Sequence, residues 1–245
     1  MGFDDIIFLQ DTDWDDYVRH FVSDRGFVHK VIELYESREA GVPMFFFGVT
    51  MQNHSDYDDP DYPATVHLRG FDQAYPAVEQ YLSLVRDTDD AIRELIEYFQ
   101  GVDEPVQIVF FGDHQPRLNS GFYREVGQRY AMQKYVVPFV MWDNYEHRAE
   151  EVPVTSVNFL GARLIDLTGV QKPAWYSFLS ALSEAVPAMD HAGFYDGDTF
   201  REYDDDDSGA DSQTLAMLDE YRIYQCANMF DDDADRALFI GKGAQ

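Results

Sequence analysis

Apolar residues recur at three- and four-residue spacing in several stretches of the chain, and this spacing predicts amphipathic helices. The first predicted helix covers 27–35, and either Ser23 or Asp24 can cap its start. The most regular one runs over 78–99 and ends at Gly101. Further helices are predicted at 156–167, closed by Gly169, between Pro173 and Pro187, and over 214–230.

Short apolar runs between these helices predict strands. The runs cover 44–50, 106–112 and 134–142, and Pro138 places the third nearer a sheet edge, since proline cannot donate to a ladder. We interpret 44–50 as a strand buried on both faces, which is typical of parallel sheets. The strand at 44–50, the helix over 78–99 and the strand at 106–112 would then form a right-handed crossover with parallel strands. The sequence therefore predicts an α/β fold with a mostly parallel sheet flanked by helices.

The charge balance limits the choice of partners. The chain has 46 acidic residues against 18 Lys and Arg, a formal net charge of -28. Such a surface repels nucleic acid, so no nucleic-acid partner is expected, and a divalent metal is the natural counterpart.

Cys226 is the only cysteine, which excludes an internal disulfide, and we interpret it as a small packing residue. The longest apolar run, 42–51, is far shorter than the roughly 20 residues of a membrane span, so the chain as given is expected to be soluble.

Polar, chemically capable residues follow two of the predicted strands. Asn53 and His54 come after the first, and Asp113 and His114 come directly after the second, behind Gly112. Ligands of open parallel sheets bind beyond the carboxyl ends of the strands. An Asp oxygen and a His nitrogen together suit zinc or manganese. The alternative is that the Asp-His pair only forms a turn with an exposed imidazole, and that His54 is ordinary polar surface.

Four segments, in order, resemble a known family: "FFFGVTMQNHSDY", "VQIVFFGDHQP", "YVVPFVMWDNYE" and "EYRIYQCANMF". They are similar to the later part of the sulfatase-like catalytic domain of the lipoteichoic acid synthase group, in the alkaline phosphatase superfamily. The resemblance implies that Asp113 and His114 are metal ligands, usually of manganese, and that His54 contacts the substrate phosphate. It also implies transfer of glycerol phosphate from a phosphatidylglycerol-type lipid, through a covalent intermediate on a threonine.

The chain departs from the family pattern at its start. The resemblance implies an upstream membrane anchor, a metal-binding glutamate, the nucleophilic threonine and a Trp-Asn-Arg stretch, none of which can be matched here. Neither Thr50 nor Thr65 stands in the nucleophile's motif. We therefore expect an incomplete domain: 1–200 as the carboxyl-terminal part of the catalytic domain, and 201–245 as an acidic loop with a peripheral helix and tail.

An incomplete domain carries further expectations. The isolated chain should be inactive or nearly so, because no catalytic nucleophile is assigned to it. The parent enzyme should be membrane-anchored with an extracellular catalytic domain. An apolar face or sheet edge should be left open, through which the chain could associate with itself.

Two other functions remain open at this point. One is a non-enzymatic acidic α/β module that binds cations or a partner, because fold does not dictate function. The other is a different activity of the same superfamily, either phosphoethanolamine transfer or sulfate-ester hydrolysis.

Overall fold

The computed structural model describes residues 3–127, 135–145, 149–196, 199–203 and 209–240. The chain divides into two compact units, Met1–Tyr145 and Glu146–Gln245. The first unit contains His54, Asp113 and His114. The functional division near residue 200 stays a prediction.

The first unit contains three α-helices and four strands in its described residues. They are β1 (Tyr17–Val18), β2 (Phe21–Val22), α1 (Asp24–Ser37), α2 (Pro76–Gln100), β3 (Gln107–Phe111), α3 (Ser120–Glu125) and β4 (Phe139–Asp143). Helices α1 and α2 pack against each other. The short hairpin β1–β2 and helix α3 have too few residues to show a periodic pattern, so the sequence did not predict them.

The two long helices confirm the helical periodicity. Helix α1 starts behind Ser23, whose hydroxyl accepts a hydrogen bond from the Gly26 amide at 2.8 Å. Such a cap satisfies one of the amide donors that a helix start leaves free. Helix α2 begins with a proline, where a missing amide costs nothing, and ends at Gly101. Its buried apolar stripe includes Val78, Leu84, Ala91 and Phe99.

The predicted parallel sheet is not confirmed in the described residues. Strand β3 lies within the predicted run 106–112, whereas β4 begins at Phe139 and overlaps only the second half of the predicted run 134–142. The two strands pair antiparallel, with Ile108 opposite Trp142. Strands β1 and β2 also pair antiparallel. A hydrophobic run does not encode the direction of a partner strand, and the assumption of a simple crossover between 44–50 and β3 led to the parallel assignment.

Residues 44–50 form neither a helix nor a strand, so the strand predicted here is not confirmed. Phe46 and Gly48 face the Phe27 ring of α1. The alternate side chains of Phe45, Phe47 and Val49 are 70%, 59% and 67% exposed. The prediction that both faces are buried is therefore wrong, because only one face has a helix against it. The expected open apolar face is present here.

The second unit is mainly helical. It contains α4 (Leu160–Thr168), α5 (Ala174–Ala185), β5 (Gly193–Asp196), β6 (Thr199–Glu202), α6 (Ser212–Phe230) and α7 (Ala237–Ile240), with β5 and β6 antiparallel. The three predicted helices are confirmed, and Gly169 closes α4 with a left-handed φ of 66°. The core includes Phe159, Leu182 and Phe194. The run of four aspartates, 204–207, lies outside the described residues.

Cys226 is exposed, so its interpretation as a packing residue is wrong. Helix α6 buries Thr214, Leu218 and Tyr221, which share one stripe at spacings of four and three. Cys226 follows Tyr221 by five residues and therefore lies off that stripe.

A buried polar network joins α1, α2 and the residues just before His54. The Thr88 hydroxyl of α2 donates to the Asp24 carboxylate at 2.5 Å and accepts from the side-chain amide of Asn53 at 2.7 Å. The Gln52 side chain accepts from the Asp24 backbone amide at 2.8 Å and donates to the Leu84 carbonyl at 3.3 Å. Gln52 is almost fully buried. Buried polar groups require such partners, so this network fixes where the chain leaves 44–50.

Asn144 fixes the connection from α2 to β3. Its side-chain nitrogen lies 3.1, 3.0 and 2.9 Å from the carbonyl oxygens of Phe99, Val102 and Glu104. Its side-chain oxygen accepts from the Val106 amide at 2.8 Å. One amide group thus holds the end of the helix and the start of the strand whose far end carries Asp113.

The substitution Asn144→Asp should destabilise the first unit by about 2–3 kcal/mol, because it replaces a donor facing three carbonyls with an anionic acceptor. Urea unfolding followed by circular dichroism should show a lower midpoint. Asn228→Asp, the same substitution on the exposed surface of α6, is the matched control and should change stability by less than about 0.5 kcal/mol. Equal midpoints for the two variants would contradict this role of Asn144.

Asp24 should give the first unit a distinctive pH dependence. Burial raises the pKa of the Asp24 carboxyl above its ordinary value of 3.8, although its hydrogen bonds from Thr88 and Thr50 act to lower it. The folded state therefore favours the protonated form, and this contribution to stability is complete below about pH 3.8 and is lost as pH rises through the folded pKa.

The substitution Asp24→Asn removes the ionisation and keeps an acceptor for Thr88. The stability of this variant relative to wild type should therefore increase between pH 4 and pH 8 in urea unfolding. Asp24→Ala also removes the acceptor, and it should destabilise by about 1–3 kcal/mol. A stability difference between the Asp24→Asn variant and wild type that is constant across this range would show that burial does not control this carboxyl.

Candidate functional site

Asp113 and His114 lie side by side on the surface immediately after β3. The His114 Nε2 atom is 3.5 Å from the Asp113 Oδ2 atom, and the side chains of His114 and Asp113 are 69% and 82% exposed. The other carboxylate oxygen of Asp113 accepts from the His114 backbone amide at 2.8 Å. This bond orients the carboxylate toward the imidazole, so both groups can reach one ligand.

The hydrogen bond of the His114 ring determines which nitrogen is available. Its Nδ1 atom lies 2.9 Å from the Gln115 carbonyl oxygen, which can only accept, so Nδ1 carries the hydrogen. In the neutral ring, Nε2 then has a free lone pair directed at the same space as Asp113. A backbone carbonyl that accepts from the second ring nitrogen is the usual support of a metal-binding histidine.

The Asp113–His114 pair fits part of a metal site. Two donors bonded at about 2.0–2.2 Å to one ion in a tetrahedral arrangement stand about 3.4 Å apart, close to the observed 3.5 Å. Two lone pairs at this distance repel each other unless a proton or a cation lies between them. In the described part of the chain no group of three or more His, Cys, Asp or Glu side chains could hold a metal. The pair alone could therefore provide only two of the ligands that a metal site needs.

Neighbouring contacts hold the loop that carries this pair. A Cβ on Gly112 would come within 3.2 Å of the Val137 Cβ, so glycine allows a close approach to the segment before β4. Gln115 donates to the Val136 carbonyl at 2.8 Å. The Tyr123 hydroxyl donates to the Pro116 carbonyl. Sequence reasoning found the pair but missed these anchors, because each joins residues from different segments.

His54 is an exposed residue in the turn that follows 44–50. Its Nδ1 atom lies 3.0 Å from the Ser55 carbonyl oxygen, so its Nε2 atom also points away from the backbone. Its ring centroid is 5.9 Å from that of Phe21 in β2. The hydroxyl of the buried Tyr57 donates to the Asn53 carbonyl at 2.8 Å, and burial raises the pKa of Tyr57 to about 12. Tyr57 is therefore a neutral donor that supports the turn at neutral pH.

The structure brings Asp113 and His114 together, but within the described ranges no hydrogen bond or ion pair joins either of them to His54. The predicted roles of all three, metal ligation and phosphate contact, remain predictions. In the described residues no helix is both long enough and apolar enough to cross a membrane.

Comparison with known proteins identifies a family for this chain and two related proteins. The model of the family described as Sulfatase matches residues 1–170. A "putative cyclic beta-1,2-glucan modification protein" of Rhizobium meliloti (strain 1021) is 26% identical over 184 residues, which are 69% of this chain and 28% of that protein. The "capsular polysaccharide biosynthesis protein RkpI" of the same organism is 31% identical over 100 residues, 41% of this chain and 17% of that protein.

One solved structure shares the fold. The Streptococcus pyogenes phosphoglycerol transferase GacH, solved with sn-glycerol-1-phosphate, superposes with a TM-score of 0.61 at 20% identity, over 83% of this chain and 48% of GacH. The chain thus spans about half the length of that structure and less than a third of each curated relative. The fold is alkaline-phosphatase/sulfatase-like, and since the family model covers more than half of the residues, the chain belongs to the sulfatase family.

Proposed function

We propose that this chain supplies the Asp-His part of a divalent-metal site in a phosphoglycerol transferase of the lipoteichoic acid synthase type. The observation that carries the proposal is the pair of donor atoms on Asp113 and His114, 3.5 Å apart and both exposed. The hydrogen bond from His114 Nδ1 to a carbonyl leaves Nε2 as the ligand atom. An oxygen and a nitrogen donor suit manganese or zinc, and manganese is the ion proposed.

Each residue of the pair has a defined task in this proposal. Asp113 provides an anionic oxygen, and His114 provides a neutral nitrogen that its carbonyl contact holds in one tautomer. The bound ion would offset phosphoryl charge and favour ionisation of an attacking hydroxyl. We assign no nucleophile to this chain, so the covalent route requires residues other than those identified here.

His54 is the proposed contact for the substrate phosphate. With Nδ1 engaged by the Ser55 carbonyl, a protonated ring presents the Nε2 hydrogen outward. A donor in this position can bind a phosphate oxygen that gains charge during transfer. Because its backbone turn is held by buried groups, the donor is oriented before substrate arrives.

The proposed substrate is a phosphoester with a glycerol phosphate headgroup, drawn from a phosphatidylglycerol-type lipid. GacH, which shares the fold of this chain, forms a complex with sn-glycerol-1-phosphate.

The proposed parent is membrane-anchored with an extracellular catalytic domain. The exposed apolar side chains of Phe45, Phe47 and Val49 are the proposed surface for self-association. Phosphoethanolamine transfer and sulfate-ester hydrolysis would use the same metal ligands, so they remain lesser alternatives.

A non-enzymatic, cation-binding module is the second candidate. It is favoured by the net charge of -28 and by the presence of only two neighbouring donors at Asp113 and His114 within the described residues. In that case cations would bind diffusely to acidic surface. The two candidates differ in whether binding depends on one particular pair of side chains.

Manganese binding by calorimetry separates these candidates. The isolated chain should bind Mn²⁺ weakly, and combined Asp113→Ala and His114→Ala substitutions should reduce that affinity by about tenfold or more. Asp231→Ala with Asp233→Ala removes two acidic groups from the exposed segment after α6 and is the matched control, with affinity expected to be unchanged. If the two double variants bind alike, binding belongs to the acidic surface and the module is favoured.

Binding of sn-glycerol-1-phosphate in the presence of Mn²⁺ tests His54. His54→Ala should weaken binding by about tenfold, the equivalent of one lost charge-assisted hydrogen bond. His20→Ala is the matched control, because His20 is also exposed and lies against Phe21 at 4.1 Å. If His54→Ala and His20→Ala weaken binding equally, His54 has no specific role in contacting the phosphate. Robust glycerol phosphate transfer by this chain alone would contradict the proposal that the nucleophile lies elsewhere.

A further inference from the structure

Arg19 occupies a strained position in the turn between β1 and β2. Its φ is 57°, and among the described residues it is the one non-glycine residue with a positive φ. This left-handed conformation is unfavourable for residues with a Cβ. Such strain persists where surrounding contacts determine the geometry, and it is frequent near functional sites. The contacts of the Arg19 side chain are therefore informative.

The guanidinium group of Arg19 holds the turn that contains His54. Its Nη2 atom donates to the carbonyl oxygens of Gln52 at 2.8 Å and His54 at 2.6 Å. Its Nη1 atom donates to the Asp56 carbonyl. The planar fork of donors on arginine suits this task, since it can hold several acceptors in one fixed relation. One side chain thus determines the backbone on both sides of His54.

Two aromatic rings hold the guanidinium in place. Its central carbon lies 5.3 Å from the centroid of the Phe21 ring and 5.9 Å from that of Tyr57. These distances fall within the range of cation–π contacts. Phe21 also contacts the His54 ring. Arg19 and His54 therefore share a neighbour, so movement of the guanidinium would disturb both the backbone and the ring contact of His54.

The geometry points to Arg19 as a positioning residue that sets the direction of the His54 imidazole for phosphate binding. This inference rests on the proposed function of His54. Because the guanidinium hydrogen bonds are directed at carbonyls of the turn, Arg19 acts through His54 rather than by touching the phosphate.

The test compares Arg19→Gln and Arg19→Lys with a matched arginine elsewhere in the first unit. Arg38 also donates to a carbonyl, that of Tyr35 at 2.7 Å, and lies 3.7 Å over the Tyr35 ring. It pairs with Glu104 as well. Arg38→Gln therefore loses similar contacts without touching the His54 turn, and it controls for general loss of stability.

The first measurement is the NMR spectrum of the His54 imidazole together with exchange of the His54 amide, which donates to the Met51 carbonyl at 3.0 Å. Arg19→Gln should shift the ring resonances and speed exchange of this amide by about tenfold or more, whereas Arg38→Gln should leave both unchanged. Arg19→Lys should give an intermediate result, because an ammonium keeps the charge but not the fork. Unchanged His54 signals in Arg19→Gln protein would overturn the inference.

The second measurement is the affinity for sn-glycerol-1-phosphate with Mn²⁺ present. Arg19→Gln should lower it on the order of tenfold, with Arg38→Gln equal to wild type and Arg19→Lys between them. Wild-type affinity in Arg19→Gln protein with a displaced His54 ring would overturn the link to phosphate binding. If His54→Ala also binds normally, it is the proposed role of His54 that fails, and the positioning of the ring by Arg19 is still decided by the NMR spectrum.

Discussion

The buried carboxyl of Asp24 is the constraint on which the first unit depends. A carboxyl group away from water needs a partner, and this one accepts a hydrogen bond from Thr88 on α2. The backbone amide of Asp24 donates to the Gln52 side chain. Three segments that are distant in sequence are therefore held at one point. Because Asn53 joins the same network through Thr88, the residue just before His54 has a fixed position even though His54 itself is exposed. The buried Asp24 at the start of α1 thus helps to fix the surface turn at His54, which lies well beyond the end of that helix in the sequence.

The turn around His54 is held from two directions. Asn53 is bonded on the side of the buried network, and the Arg19 guanidinium holds the carbonyls of Gln52 and His54 from the side of the β1–β2 hairpin. A side chain that binds an anion gains from this arrangement, since the backbone need not become ordered when ligand arrives. The Asp113–His114 pair shows the same principle, with its loop fixed by backbone carbonyl contacts and its donor atoms open to solvent.

The acidic character of the chain determines how the proposed metal binding must be tested. With 46 acidic against 18 basic residues, weak attraction of cations is a property of the whole surface. What separates Asp113 and His114 from that background is the nitrogen donor and its fixed tautomer, not the charge. Selectivity for a transition metal over other cations comes from donor type and geometry. The histidine is therefore the more informative member of the pair.

The sequence by itself determined the long helices, the position of β3, the second half of the run that contains β4 and the residues able to carry chemistry, because these depend on local periodicity and side-chain type. It placed the end of α2 at Gly101 and left Ser23 and Asp24 as alternative caps of α1, of which the structure uses Ser23. Only the tertiary structure decided the antiparallel pairing of β3 with β4, the exposure of Phe45 and Phe47, and the anchoring of His54 by Arg19. Those features depend on contacts between residues far apart in sequence, and the spacing of residues along the chain does not encode which distant segment will pack against them.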